Sequence, residues 1–434
     1  MTVPPGNSLD DDELPPADAD LRQRRWRVRS DPRALWPDVE PNELQPAADE
    51  IGRAVAVALQ GGRTSLGRAD GRDARALGVA GLLTGVGPLL GAYVDAGLLD
   101  VHDDVARGFA RHLAHGRRRI ERIRREVMPV LRDMVSGGVA PAVMKGFHTA
   151  HLCFPEPGAR PLSDVDVVVA PADIARAEGI LHAAGFESPA AAVLPYKRNW
   201  VPRGSDARVW SFDHWDARSP WSLELHDGLN FDHATENACV FRDAAAFSET
   251  WSALGVPLRV SPISSLLAIQ AMHASGELYV SRLLRLVEVI LIARHGAATG
   301  ELDWHEVEEP LSRTGALRFA YPAFALAERL VPGTIDSGML ARARGASTTR
   351  ARSVTDQLTS TSQLLVDGFS LTQRLMWAKG WRQVARKLGT MVLPRPELSL
   401  RESVRVYHVR LRRLISGRVT WRARTGGPTD APLA

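Results

Sequence analysis

An α+β fold, with a small mixed sheet flanked by N- and C-terminal helical segments, is predicted by three features of the 434-residue chain. Apolar residues recur at three- and four-residue spacing from Val105 to Met134. Two short apolar runs, VAPAVM (139–144) and VDVVVA (165–170), bracket a tight Lys145-Gly146 turn. From Ser261 onward the pattern is helical again.

The N-terminus reads as follows. Residues 1–20 are polar, acidic and Pro-rich, and with the Pro-broken stretch to residue 46 are expected to form a disordered or extended tail. They lack the basic and apolar regions of a signal peptide. Residues 47–138 form an N-terminal helical region. Within it, residues 76–94 carry no charge but contain five glycines and Pro88, which predicts two short buried helices rather than a membrane span. The following helix ends at Ser136-Gly137-Gly138. Its RRRIERIRRE stretch is expected to be a solvated face with pairs such as Glu121–Arg125.

An α/β core is expected over 139–260. After the first strand, a helix runs from about 147 to 153. Pro171-Ala172-Asp173 opens another, closed by Gly185. ARVWSFDHW and WSLELH are expected to be two further strands. The C-terminal helical domain, 261–425, opens with Ser261 as N-cap and Pro262 in the first turn. A second helix is expected to end at Gly296, and residues 426–434 form a short disordered tail.

Composition narrows the class. Two cysteines give no disulfide framework, which with the absence of a leader predicts a cytoplasmic protein without membrane insertion. The net charge of +4 hides an asymmetry: from Leu371 on there are 14 Lys/Arg against 3 Asp/Glu. Trp377, Trp381, Tyr407 and Trp421 lie among those basic residues, a pattern compatible with nucleic acid, although solvated helix faces are the plainer reading. Lysine is rare, with only Lys145, Lys197, Lys379 and Lys387 among 54 basic residues.

Asp164 and Asp166 carry the chemistry. On a strand, residues i and i+2 share a face about 6.5–7 Å apart, so the two carboxylates project together while Val165, Val167 and Val169 face the other way. Converging carboxylates repel unless a cation lies between them. Alone the pair favours a plainer reading, Asp164 as a turn cap and Asp166 as an edge charge. A third acid, Glu224 in LELH or the competing Asp213, would complete a two-metal clamp. Lys145-Gly146 adds a close-approach turn and a helix N-terminus for phosphate. His148 and His151, at i and i+3, are expected to face solvent or cap a helix rather than bind zinc. His226-Asp227 orient a substrate, serve as a base or form a turn.

VMKG, then RPLSDVDVVV about 20 residues later, LHAAGF and LELH together resemble the uncharacterised nucleotidyltransferase family of the DNA polymerase β-like superfamily. The resemblance spans roughly residues 76–300. It implies a nucleotidyltransferase core in which Asp164, Asp166 and Glu224 hold two Mg²⁺ ions. Lys145, Gly146 and Arg160 would then serve the nucleotide. The Lys-Gly turn replaces the superfamily's Gly-Ser, and Glu288 stands where the family often has aspartate. His273, Arg282 and Glu288 are candidates to face the cleft. The implied reaction moves an NMP from an NTP to an unidentified acceptor, a small molecule, modified peptide or sugar, with release of pyrophosphate. A biosynthetic partner enzyme is also implied. The alternatives are an inactive module of this fold that binds a nucleotide, peptide or partner enzyme, and a nucleic-acid binder acting through its basic C-terminal helices.

Overall fold

A computed structural model describes residues 39–188, 193–194, 197–204, 221–233, 236–241, 247–252, 254–276, 283–361, 375–378 and 380–392. The expected strand ARVWSFDHW with Asp213, residue Arg282, most of the N-terminal tail and most of the basic C-terminal segment lie outside them.

Helix α1 (Pro41–Leu59) begins inside the expected tail, with Glu40 and Glu43 forming a capping box. The uncharged stretch folds as α2 (Ala74–Thr84) and α3 (Gly87–Asp95), bent by 117°. No single helix among the described residues is long and apolar enough to cross a membrane. Glycines let this pair pack closely: a Cβ at Gly91 would meet the Phe109 carbonyl oxygen at 2.5 Å. Two three-residue strands, β1 (Thr64–Leu66) and β2 (Leu99–Val101), pair in parallel beside these helices. They are too short to leave an alternation that could be read in the sequence.

Helix α4 (Asp103–Ser136) runs 34 residues, about 51 Å at 1.5 Å per residue. Asp103 and Asp104 sit in its first turn, where they favour the positive end of the helix dipole. Val105, Phe109 and Leu113 enter one core, and Ile120, Ile123, Val127, Leu131 and Met134 enter a second. Its RRRIERIRRE stretch is solvated in part, with Arg124 on Glu121 and Arg122 on Glu126. Arg119 is the exception: it is buried and donates to the Leu162 carbonyl at 2.5 Å.

The sheet order is β11-β12-β3-β4-β8-β7-β5, with β6 (Val193–Leu194) beside β7. These strands are β3 (Ala142–Met144), β4 (Asp164–Val168), β5 (Phe186–Glu187), β7 (Lys197–Pro202), β8 (Ser222–His226), β11 (Glu249–Trp251) and β12 (Leu258–Val260). A separate hairpin pairs β9 (Leu229–His233) with β10 (Glu236–Phe241). β4 runs antiparallel to β3 and parallel to β8, so the sheet is mixed. One face, with Val165, Val167, Leu223 and Leu225, packs on the second half of α4 and on α6 (Ile174–Ala183). Helix α5 (Lys145–Leu152) follows β3 directly.

The C-terminal helices are α7 (Ile263–Gly276), α8 (Leu283–Thr299), α9 (Trp304–Arg313), α10 (Leu317–Leu330), α11 (Ser337–Ala346), α12 (Thr349–Gln357) and α13 (Gly380–Val392). α8 does not stop at Gly296 but continues to Thr299, ahead of Gly300 at φ +74°. Gly296 is a packing glycine, since a Cβ there would meet Ile263 at 2.5 Å. The N- and C-terminal helices share one apolar core, from Leu44 and Ile51 through Leu267 and Phe324 to Val354. Thr361 closes back on α1 by donating to Asp49. The molecule is an α+β protein with helices on both sides of its mixed sheet.

Candidate functional site

The parallel register of β4 and β8 sets Asp166 opposite Glu224 and Asp164 opposite Ser222. The strands turn Val165, Val167, Leu223 and Leu225 to the second core, so the alternate positions Asp164, Asp166, Glu224 and His226 share the other face. The strand geometry therefore assembles the three acids singled out in the sequence. Asp166 and Glu224 are buried and Asp164, at the strand's start, is half-buried.

Two ammonium groups enter this cluster. Lys145 Nζ donates to Asp166 Oδ1 at 2.6 Å. Lys197, reaching over from β7, donates to both oxygens of Glu224 at 2.6 Å. His226 Nε2 lies 3.0 Å from Asp166 Oδ1 and 3.5 Å from Glu224 Oε2, so this nitrogen carries the proton facing them. Its Nδ1 is buried with no hydrogen-bond partner among the described residues.

The charges set the ionisation of each acid. Burial opposes ionisation of Asp166, but the Lys145 ammonium and the His226 hydrogen bond hold its carboxyl well below the usual carboxylate range. Burial likewise opposes ionisation of Glu224, yet Lys197 and His226 bring it down to about 2. Asp164 is pushed up to about 6 by burial and by the charges of Asp166 and Glu224. Burial works against the charge on both lysines, but the carboxylates overcome it and raise both.

The turn before α5 is strained. Lys145 has φ +51°, the one non-glycine residue with positive φ among those described; that conformation costs an L-residue about 1–2 kcal/mol. Gly146 follows because the Arg160 guanidinium lies against its Cα, where a Cβ would come within 2.6 Å of Nη1, Cζ and Nη2. Arg160 is buried and forks onto Glu288 of α8, through Nε at 2.9 Å and Nη2 at 3.2 Å, while Nη1 donates to the Pro161 carbonyl. Thr149 of α5, Gln270 of α7 and Arg285 of α8 converge on the same carboxylate. Burial opposes its charge, but Arg160 and Arg285 lower the Glu288 pKa. Arg160 and Glu288 therefore sit beneath the turn as a buried ion pair rather than in an open cleft.

His148 and His151 depart from expectation. His148 is buried and His151 is half-buried, and both pack on the Trp251 ring at 5.3 and 5.4 Å between centroids. Burial lowers His148 to about 4. His273 is half-buried on α7. Lys197 was not among the expected site residues; its only signal in the sequence is the scarcity of lysine.

One oxygen each of Asp166 and Glu224 and a ring nitrogen of His226 all lie within 4.8 Å of one another. Two carboxylates suit Mg²⁺ or Mn²⁺, and an imidazole beside them is compatible with Mn²⁺. The donor set therefore fits a divalent cation, with Asp164 next along the strand.

A sequence profile of the family described as uncharacterised nucleotidyltransferase matches residues 83–332, which hold the turn, β4, β8 and the Arg160–Glu288 pair. No curated protein and no solved structure matches the chain. More than half of the chain is covered by that profile, and the chain belongs to the uncharacterised nucleotidyltransferase family.

Proposed function

We propose that the protein transfers an NMP from an NTP to an acceptor hydroxyl. The observation that carries this reading is the Asp166–Glu224 register, which gathers carboxylates on one strand face in a chain of this family. Asp164, Asp166 and Glu224 would hold Mg²⁺, with His226 beside them; the ion would supply charge neutralisation for the triphosphate and the acceptor oxygen. Lys145 and the N-terminus of α5 would offer positive charge and N–H groups to the phosphates. Arg160 serves the nucleotide indirectly, by holding Gly146 and the turn in place from below. The acceptor oxygen forms its bond to the α-phosphorus as the bond to the β-phosphate bridging oxygen breaks. Pyrophosphate leaves, and the hydroxyl proton passes to solvent or to Asp164. Catalysis is then positioning plus electrostatic stabilisation.

A second reading, a module that binds a nucleotide, peptide or partner enzyme without turnover, is favoured by one observation: the lysines already neutralise two of the acids. One experiment separates the two. Labelled NTPs, Mg²⁺ and fractionated host extract are incubated with the full chain, wild type and Asp166→Asn. Transfer predicts pyrophosphate release with the wild type that drops at least a hundredfold in Asp166→Asn. Binding without release in any fraction would support the module instead.

A further inference from the structure

Of the chain's 54 basic residues 50 are arginine, yet both cations inside the acid cluster, Lys145 and Lys197, are lysine. The two side chains differ physically. Arginine presents a rigid planar fork suited to a fixed bidentate pair, whereas lysine is a compact point charge on a flexible stem with freely turning donors. The chain uses each accordingly: arginine forms the fixed fork on Glu288, and lysine touches the acids of the site.

Each ammonium stands 2.6 Å from a carboxylate that also belongs to the 4.8 Å donor cluster. A divalent ion of the Mg²⁺ class contacts its oxygens at about 2.0–2.1 Å. Its binding to Asp166 and Glu224 is opposed while both ammoniums stay on them, because like charges would stand a few ångströms apart. An ammonium that leaves a buried carboxylate needs another anion, since an unpaired buried charge is costly. A polyphosphate chain brings such an anion together with the metal.

We propose that Lys145 and Lys197 are exchangeable counter-ions: they neutralise Asp166 and Glu224 before ligand arrives and move onto phosphate oxygens when metal and polyphosphate enter. Free divalent metal is thereby refused, and metal and polyphosphate bind as a unit. The identity of the anion rests on the nucleotidyl-transfer reading, but the exchange itself concerns only the acids, the lysines and a phosphate chain. Lys197 becomes a ligand-binding residue, and the strained Lys145 backbone holds its stem where both partners are within reach.

Equilibrium dialysis of the full chain against Mn²⁺, with and without inorganic tripolyphosphate, tests the exchange by reading metal and phosphorus retained with the protein. The wild type is expected to hold Mn²⁺ at least tenfold more tightly with tripolyphosphate than without. Lys197→Met is expected to hold Mn²⁺ alone at least tenfold more tightly than the wild type and tripolyphosphate at least tenfold more weakly. The proposal is overturned if wild-type protein binds Mn²⁺ equally well without tripolyphosphate, a comparison that needs no variant to fold. It is also overturned if a folded Lys197→Met, checked by its melting curve, binds Mn²⁺ alone no better than wild type. Coupled binding without NTP consumption would keep the exchange and reject transfer. NTP consumption with tight binding of Mn²⁺ alone would do the reverse.

Discussion

Gly146 owes its identity to a neighbour. The Arg160 guanidinium that fills the space of its missing side chain is pinned by Glu288 and the Pro161 carbonyl and has no room to retreat. Gly146→Ala is expected to destabilise the fold by about 1–3 kcal/mol, the usual cost of overpacking, and to lower nucleotide affinity by shifting the turn. Urea denaturation and dialysis of nucleotide check the two effects. His112 gives a second prediction. Burial, together with nearby His115 and Arg111, lowers it from 6.5 to about 4. Below pH about 6.5 the unfolded chain takes up a proton that the folded chain refuses until about 4, so stability is complete above 6.5 and falls as pH drops toward 4. The loss at this one site is about 3 kcal/mol. Urea midpoints at pH 7 and 4.5 should differ less in His112→Leu than in wild type. At this scale the Lys145-Gly146 turn and the shared face of Asp164 and Asp166 were legible, because turn chemistry and period-two spacing are local, whereas Glu224 was set beside them by its strand pattern and the family resemblance. Lys197 and the final place of His226 were not, because they depend on which strand lies beside which.

Helix α5 is locked to α7 and α8 through a single carboxylate. Glu288 receives Arg160, Thr149, Gln270 and Arg285, so the turn that presents Lys145 is held by the C-terminal helices. Glu288→Gln is expected to cost about 3–5 kcal/mol by leaving Arg160 buried and unpaired. The double variant Arg160→Met/Glu288→Met should recover most of that, since replacing both partners removes the stranded charge. Thermal melts of the three proteins measure it. Element type was largely legible: α4 follows its apolar spacing, while α7, β4 and the bent pair α2–α3 follow their cap, apolar-run and breaker signals. The stop expected at Gly296 failed because a glycine inside a helix signals an end only when it adopts positive φ. Here it serves a close approach to Ile263, which no local pattern reveals.

On the scale of the molecule, α4 carries both cores, with Leu113 at one end and Leu131 at the other. Gly116 marks the crossing, where the Gly158 carbonyl presses against the helix and Arg117 grips Glu156. Because one rigid element serves both cores, Leu113→Ala and Leu131→Ala are each expected to cost about 2–5 kcal/mol and to lower the same unfolding midpoint. Two separated transitions in circular-dichroism melts would show the cores to be independent. The domain outline read from sequence treated the N- and C-terminal helices as separate regions, yet Leu44, Ile51 and Leu77 share a core with Phe324, Met339 and Val354. Long-range contact of that kind leaves no trace in periodicity.

That shared core has a practical consequence for anyone seeking the smallest fragment that keeps the site. The family profile begins at residue 83, inside α2, and stops at 332, just after α10. A fragment cut at those limits would keep every acid and lysine of the site but lose Leu44, Ile51, Val55, Leu77, Met339 and Val354, which cover one side of the helices that remain. The stretch that records kinship is thus shorter than the stretch that folds. Grafting or dissecting this chemistry would have to follow the buried surface instead, keeping α1 at one end and α12 at the other.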